Sequence, residues 1–429
     1  MVQSFVDKFF FALFVFSLIF VILLYKTIGF DYMDELCAAG LLVMFFYALM
    51  RTPNWTFNKA FLIMLGIFAF YTIYSVWIGS NSKRAIFNDL VIQMKPYIAF
   101  FCIYQLKPVM TESRKRLLRD VCLLFWFIFL LPIGLISLVN ERVFMLTMEH
   151  PSYYGIAVTI VSLCVYYCSR NTLRDKLVFL LLLSIGIFCG RSKFFGFFIL
   201  AVFMVLFFTH IDRLKLNLKT VMFFLCMLGA IVLVAWNKIS FYFFNAMIGS
   251  GDIDPDMMAR FVLYRTFPEI LHDYFPFGSG FASYATHSSG VYYSDLYAKY
   301  GLEYVWGLSK SYSAFISDTF YPSLAQFGVV GIALFVLFWV YIIRKAFSRY
   351  FKNGNVKLLA IVLLIVGFLA IESTTGPAFI AQGGFFVMMM MGLILSEMSR
   401  DTRGESLKTT PITDGVENSA NGNDLNPQI

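Results

Sequence analysis

Long runs of apolar residues, separated by short polar segments, occupy most of this chain. A helix needs about 17 to 25 mostly apolar residues to cross the roughly 30 Å of hydrocarbon in a bilayer. On that scale the pattern predicts twelve membrane-spanning helices. Their approximate limits are residues 9–25, 36–50, 61–79, 87–106, 120–139, 152–168, 177–190, 194–209, 220–236, 321–343, 358–375 and 379–398. The expected fold class is an all-α polytopic integral membrane protein, with about 12 transmembrane helices in a domain over residues 1–398.

The composition agrees with a place in the bilayer. Hydrophobic residues make up 59% of the 429 positions and charged residues only 14%, which is more apolar surface than a water-soluble domain could bury. The last segment, residues 399–429, is polar and rich in turn formers, so we expect a disordered tail. The sequence has no P-loop, no dinucleotide-binding glycine motif and no H-E-x-x-H spacing. We therefore expect no cofactor, no metal and no nucleic-acid partner.

The polar segments at the two ends of the predicted helices differ in positive charge. If the amino terminus is taken as cytoplasmic, 22 of the 34 Lys and Arg residues face its side and 11 face the other side. Cytoplasmic loops of membrane proteins carry the excess of Lys and Arg. Both termini are therefore predicted to be cytoplasmic, and residues 237–320 form the one long loop on the outer side.

This outer loop is too long to lack structure, so we expect local helices and a function in it. Asp254 and Pro255 are typical of a helix start, and the apolar residues that follow at helical spacing predict an amphipathic helix, kinked at Pro268. Arg260 on this helix has two interpretations. It either forms a weak exposed pair with Asp256, four residues earlier, or belongs to a ligand site.

Two further patterns occur in the same loop. The stretch "FPFGSGF" predicts a turn, in which Gly278 and Gly280 would let the backbone approach a ligand closely. Residues 291–315 are rich in tyrosine and include Trp306. Aromatic rings of this kind either contact the apolar faces of sugars or line the membrane interface without any ligand.

Several basic or titratable residues lie near or within the predicted spans. Arg191 and Lys193 occupy a tight turn on the predicted outer side, where cations are disfavoured. They either extend to lipid head groups or bind a ligand. Lys95 lies inside a predicted span next to Pro96, and a cation in that setting is a functional hypothesis by default. His150 begins the sixth span from the outer side.

Four segments occur in an order that resembles a known family. They are "GRSKFFGFF" at the outer turn, "ARFVLY" followed by "FPFGSGF" in the outer loop, and the closing "SDTFYPSLAQFGVVG". Over roughly residues 85–395 the chain resembles the superfamily of O-antigen polymerases and O-antigen ligases. The resemblance implies a GT-C-like glycosyltransferase architecture in the bacterial inner membrane. Such an enzyme works without a metal, on the periplasmic face, on glycans linked to undecaprenyl diphosphate.

The resemblance also implies roles for individual residues. Arg191 and Arg260 match the family's arginines at the outer turn and on the loop helix, which would bind the diphosphate of the lipid donor. A guanidinium suits this role because it binds phosphate oxygens with two parallel hydrogen bonds. Arg265 and Lys95 complete the predicted donor-binding set.

The closing motif departs from the pattern of the ligases. Ligases have His-Asn at its start and a Glu shortly before its Gly-x-x-Gly, whereas this chain has Ser317, Asp318 and Gln326 at those positions. The departure favours a polymerase and leaves Asp318 and His150 as the two candidates for the catalytic base. In the alternative interpretation, Asp318 only caps the tenth helix.

The expected function is transfer of a growing glycan from undecaprenyl diphosphate to the non-reducing end of a lipid-linked repeat unit. The product would be an O-antigen, a capsule or an exopolysaccharide. The expected partners are undecaprenyl-diphosphate-linked oligosaccharides, the lipid bilayer and a chain-length regulator. Two alternatives stay open: an O-antigen ligase, and a flippase or transporter of lipid-linked oligosaccharides. Many transporters have repeated halves, and none is visible in this sequence.

Overall fold

The structure is a computed structural model that describes residues 2–28, 32–52, 56–208, 229 and 255–408. All the regular elements in these residues are helices. Seven of the helices are long and apolar enough to cross a membrane. A helical membrane protein is thereby confirmed, whereas the number of twelve spans stays a prediction.

The described residues form twelve main helices, joined by short helical turns. The main helices are α1 (Val2–Phe16), α2 (Met33–Arg51), α3 (Lys59–Ile78), α4 (Lys83–Leu106), α5 (Glu112–Phe125), α6 (Pro151–Tyr167), α7 (Leu173–Ser184), α8 (Ser192–Leu206), α9 (Pro255–Asp273), α10 (Gly328–Asn353), α11 (Val356–Glu372) and α12 (Gln382–Lys408). The π-helical segments are Ser17–Leu23, which continues α1, and Trp126–Leu130, which continues α5 into the helical turns of Leu131–Ser137. The shorter elements are Tyr25–Ile28, Arg142–Thr147, Ile185–Cys189, His287–Val291, Leu296–Lys299, Leu302–Tyr304 and Tyr321–Phe327.

Most predicted spans correspond to one of these helices. The predicted span over residues 220–236 lies outside the described residues apart from position 229, and so does Asp254, the expected helix cap. The predicted helix of the outer loop is α9, which begins at Pro255 and contains Pro268. Helix α12 continues past residue 399 to Lys408, and the predicted disordered tail stays a prediction.

Helices α4 and α12 pack closely at the centre of the bundle. Gly392 of α12 allows this approach, because a β-carbon there would lie 2.7 Å from the carbonyl oxygen of Phe100. Small residues commonly permit such backbone contact between helices in membranes. The neighbouring residues of α12, Phe385 to Met391, are fully or almost fully buried, so this helix forms much of the core.

Helix α6 is also enclosed by its neighbours. Every residue from Tyr154 to Tyr167 is buried. A helix that is apolar all round belongs in the interior of a structure. Its two ends are polar: His150 caps the first turn, and Lys357 donates a hydrogen bond to the carbonyl of Tyr167 at the other end. α6 therefore carries His150 to one fixed end of the bundle.

The described part of the outer loop has a small core of its own. α9 contributes Leu263 and Ile270, and the later loop contributes Tyr284, Tyr297 and Leu308. Tyr297 is fully buried, and its hydroxyl accepts a hydrogen bond from the amide of Ala285. The loop is thus a compact unit resting on the bundle.

Candidate functional site

Residues from five distant parts of the sequence meet at the end of α6 that His150 caps. Four of these residues are basic, and the other two are carboxylates that pair with two of the basic residues. We call this group the arginine cluster; it consists of His150, Arg191, Lys193, Arg260, Asp318 and Glu372. The cluster contains Arg191, Arg260, His150 and Asp318, four of the residues that the sequence singles out.

The turn that carries Arg191 is fixed by glycines. Gly190 has a positive φ of 65°, so the chain reverses there before α8 begins. Phe194, in the first turn of α8, fills the space that side chains at Gly155 and Gly186 would occupy; a β-carbon at Gly186 would lie 2.1 Å from its ring. These contacts hold the turn against α6, and Arg191 consequently faces His150.

The contact between Arg191 and His150 leaves one donor without an acceptor. Nη2 of Arg191 lies 3.1 Å from Nε2 of His150, and the amide of Ser152 donates to Nδ1 of the same ring at 3.1 Å. A neutral imidazole has only one acceptor nitrogen, so it cannot accept from both groups at once. An anionic ligand beside Arg191 would provide the missing acceptor.

The electrostatic field at His150 is positive. Burial of the ring lowers its pKa, and the charges of Arg191, Lys193 and Arg260 lower it further, to about 4. The imidazole is therefore neutral at physiological pH. Both arginines and Lys193 thus act electrostatically on one ring, Arg191 from direct contact at 3.1 Å.

The two remaining cations of the cluster are each paired with one carboxylate. Nη2 of Arg260 lies 2.7 Å from Oδ2 of Asp318, and Nζ of Lys193 lies 2.6 Å from Oε2 of Glu372. The side chains of Arg260 and Asp318 keep 25% and 30% of their surface exposed, whereas that of Glu372 keeps 3%. A ligand can consequently reach the pair of Arg260 and Asp318, whereas the carboxylate of Glu372 is almost completely buried.

Two observations bear on interpretations that the sequence leaves open. Arg260 pairs with Asp318 across the fold, while the side chain of Asp256 lies outside the described residues. Asp318 is not a helix cap, because the next helical turn begins at Tyr321 and α10 begins only at Gly328. The Asp318 side chain therefore faces the arginine cluster instead of a helix end.

Gly278 and Gly280 lie in the predicted turn, each with a φ of 83°. These glycines allow the loop backbone to approach other parts of the same protein closely, and not a ligand. A β-carbon at Gly278 would lie 2.2 Å from the amide nitrogen of Gly328, and one at Gly280 would lie 2.7 Å from the β-carbon of Ser80. The turn thus joins the loop to the start of α10 and to the α3–α4 connection.

Gln326 belongs to the same structural joint. Its side chain is fully buried and accepts a hydrogen bond from the amide of Ser283 at 3.0 Å, while its carbonyl accepts from the amide of Gly280 at 2.8 Å. Asp89 of α4 accepts from the amide of Ala282 at 2.8 Å. These bonds fix the position of the loop. Asp318 precedes Gln326 in the same loop segment.

Two predicted donor-binding residues lie apart from the cluster. Lys95 is buried in α4 and pairs with Asp34 and with Glu35, the latter at 2.7 Å. Arg265 is exposed on α9, five residues after Arg260. The structure thus brings Arg191 and Arg260 together, but it does not add Lys95 or Arg265 to them.

Two acidic residues at the cluster, Glu149 and Glu372, are not indicated by the sequence. Glu149, directly before His150, has a positive φ of 65° and accepts a hydrogen bond from the Tyr25 hydroxyl. A positive φ is uncommon for Glu and is often found at functional sites. Glu372 could have been noticed as a carboxylate near the end of an apolar run, but its pairing with Lys193 depends on the fold.

The tyrosine-rich stretch divides into two groups. Tyr297 and Tyr293 donate or accept hydrogen bonds inside the loop, so their role is structural. Tyr304 and Trp306 are 86% and 58% exposed, and the ring of Trp306 lies 4.6 Å from that of Tyr312. Only this second group is free to contact a glycan or a membrane surface.

Comparison with known proteins adds no relative. No family model matches the chain, and no curated protein matches it either.

Proposed function

We propose that the protein is a polysaccharide polymerase that uses glycans linked to undecaprenyl diphosphate. The observation that carries the proposal is the contact of Arg191 with His150 at 3.1 Å, at a ring on which Lys193 and Arg260 also act electrostatically. The same two arginines, Arg191 and Arg260, match the arginines of the family that the sequence resembles. Their meeting in one partly accessible cluster, at one end of an apolar bundle, is what a membrane site for a diphosphate lipid requires.

The cluster suits a diphosphate leaving group. The hydroxyl oxygen at the non-reducing end of the acceptor attacks C1 of the donor sugar, and the bond from C1 to the phosphate oxygen breaks. The electron pair of that bond leaves with undecaprenyl diphosphate, so negative charge develops on the phosphate. Arg191 and Arg260 would stabilise this charge in the transition state, where such stabilisation accelerates the reaction.

Asp318 is the better candidate for the base. Only its Oδ2 takes part in the pair with Arg260, which leaves Oδ1 to accept the proton of the acceptor hydroxyl. His150 has a pKa lowered to about 4, because it is buried among cations, and it is correspondingly a weak base. We assign His150 the role of orienting Arg191.

Gln326 supports the polymerase over the ligase. The corresponding position carries Glu in the ligases, and here the side chain is fully buried within the loop joint. It is bonded to the amide of Ser283 and is not available to a substrate.

Surface polysaccharide from a deletion strain tests the proposed function. Loss of a polymerase leaves glycolipid with a single repeat unit, and this is the expected result. Full-length glycan retained on the undecaprenyl carrier would identify a ligase instead. Loss of all outward glycan would identify a flippase. Complementation with the wild-type gene is the control.

The proposed orientation, with both termini in the cytoplasm, can be tested by thiol labelling. Tyr304 is 86% exposed in the loop, so a Tyr304→Cys variant should react with an impermeant thiol reagent in intact spheroplasts. A Ser419→Cys variant should react only after the membrane is opened. The wild-type protein gives the background from its own cysteines. Labelling of Ser419→Cys alone in intact spheroplasts would reverse the orientation.

A further inference from the structure

A second polar site lies at the opposite end of the bundle, where α4, α10 and α12 come together. It is a cavity of about 250 Å³, which we call the basic cavity. The volume is slightly below that of sites for drug-sized ligands, so it suits a small polar group. The described residues that line it are Thr56, Phe57, Asn58, Tyr104, Gln105, Lys107, Lys345, Arg349, Ser399 and Arg400.

Four of these residues are cations, and none is a carboxylate. Lys345 and Arg349 lie one helical turn apart on α10, and therefore on one face of that helix. Within the described part of the chain, neither of them forms an ion pair. Arg400 is held by hydrogen bonds from its Nη1 to the carbonyls of Lys107 and Pro108, at 2.8 and 3.0 Å.

Glu397, an acidic residue of α12 whose side chain the structure describes, is engaged elsewhere. Glu397, one turn before Arg400, pairs with Lys115 at 2.8 Å and accepts a hydrogen bond from the Tyr167 hydroxyl. The carboxylate of Glu397 is consequently directed to Lys115 and Tyr167 and not to the cations of the cavity. Like charges held together in this way repel one another, and a bound anion relieves the repulsion.

The uncharged wall of the cavity is ordered by hydrogen bonds. Gln105 donates to the carbonyl of Thr56 at 2.7 Å and accepts from the amide of Asn58 at 3.2 Å. The side-chain amide of Asn58 lies 3.3 Å from the hydroxyl of Tyr341. These bonds connect the wall to α4 and α10, so the cations face a preformed polar space.

We propose that the basic cavity binds a phosphate group. Several Lys and Arg side chains around one small space provide both charge and donors for phosphate oxygens. The cavity lies at the ends of membrane-spanning helices, where basic pockets between helices bind the head groups of anionic lipids. The phosphate belongs either to a phospholipid head group or to a free phosphate ion. This inference does not depend on the proposed polymerase activity.

The test measures the thermal unfolding midpoint of the full-length protein. One arm uses phosphatidylcholine nanodiscs with and without phosphatidylglycerol; the other uses detergent with inorganic phosphate or chloride at equal ionic strength. The pocket variant is Lys345→Gln with Arg349→Gln. The control variant, Arg344→Gln with Lys352→Gln, removes the same charge from exposed positions of the same helix.

We expect an increase of roughly 3 °C or more in wild type and control, and loss of that increase in the pocket variant. An increase with phosphatidylglycerol alone identifies a lipid head group, and an increase with inorganic phosphate identifies the free ion. If the double variant does not fold, Arg349→Gln alone takes its place. An equal response of pocket and control variants, or no response of the wild type in either arm, would overturn the proposal.

Discussion

Two groups of charged residues lie inside this bundle, and they differ in the balance of their charges. In the first, the cation Lys95 lies between the carboxylates of Asp34 and Glu35. In the arginine cluster, three cations share two carboxylates, and their field lowers the pKa of His150. The first group has no positive charge to offer a ligand, whereas the second has.

The comparison shows that a cation in a membrane helix is not by itself a binding site. Lys95 is only 5% exposed, and its charge is fully used by its neighbours. Buried ion pairs of this kind are costly to form and costly to break, so they act chiefly on stability. A diphosphate needs a cation with several donors, and the guanidinium of Arg191 has five, whereas the neutral ring of His150 has one acceptor nitrogen.

The largest expected effect is on turnover. Arg191→Ala and Arg260→Ala should each abolish extension of purified lipid-linked repeat units in EDTA, at unchanged protein abundance. Loss of a charged hydrogen bond in the transition state typically costs about 10²-fold or more in rate. Arg191→Lys should be strongly impaired because an ammonium lacks the two-pronged geometry. Lys193→Ala should be milder, since Lys193 is already paired with Glu372.

Arg265→Ala is the matched control for this series. It removes an arginine from α9 at an exposed position, five residues beyond Arg260. Near-normal extension by Arg265→Ala is expected. Equal losses in Arg265→Ala and Arg260→Ala would mean that the assay reports the charge of the loop instead of a specific contact.

The next effect is on stability. Lys95→Ala leaves the carboxylates of Asp34 and Glu35 without their cation, which should destabilise the protein by about 3–5 kcal/mol and reduce its abundance. A triple variant, Lys95→Met with Asp34→Asn and Glu35→Gln, removes all three charges and should recover both abundance and activity. An abundant but inactive triple variant would return Lys95 to the donor-binding site. Abundance is measured by quantitative blotting and activity by extension.

The smallest effect concerns protonation. The pKa of His150, lowered to about 4 by burial and three cations, should rise when a diphosphate lipid binds, because its negative charge offsets the cations. Without ligand, His150 is protonated below about pH 6.5 in the unfolded chain but only below about pH 4 in the folded protein. Stability should therefore fall as pH decreases from about 6.5 toward 4. Both effects should be absent in His150→Gln.

Titration of histidine-labelled protein by NMR measures this pKa directly. The resonance is assigned by its absence in His150→Gln. An unshifted pKa near 6.5 in the free protein would mean that the three cations do not converge on the ring.

Much of the fold could be predicted from the sequence, because length and apolarity alone define a spanning helix. The start of α9 at Pro255 was predictable for a local reason, since Pro suits the first turn. The end of α12 was not: the charged residues after Ser399 continue the helix to Lys408, although their composition resembles that of a tail. Periodicity gives little information where helix and disordered chain share the same polar residues.

The site was predictable only as separate residues. The resemblance selected Arg191 and Arg260, but only the fold shows that His150 lies between their charges. The role of Asp318 could not be decided from sequence, because a helix cap and a partner for a distant arginine look alike in one dimension. Lys95 was assigned to the donor because its partners, about 60 positions away on α2, are invisible without tertiary contacts.

Equilibrium binding of radiolabelled undecaprenyl diphosphate in EDTA tests the central claim most directly. It compares wild type, Arg191→Ala and the neutral Lys95 triple variant, each purified and folded. We expect saturable binding by the wild type and the triple variant, and affinity at least about tenfold weaker for Arg191→Ala, since charge-assisted hydrogen bonds are lost. Wild-type affinity in Arg191→Ala, or loss of binding in the triple variant, would contradict the assignment of the diphosphate to the arginine cluster.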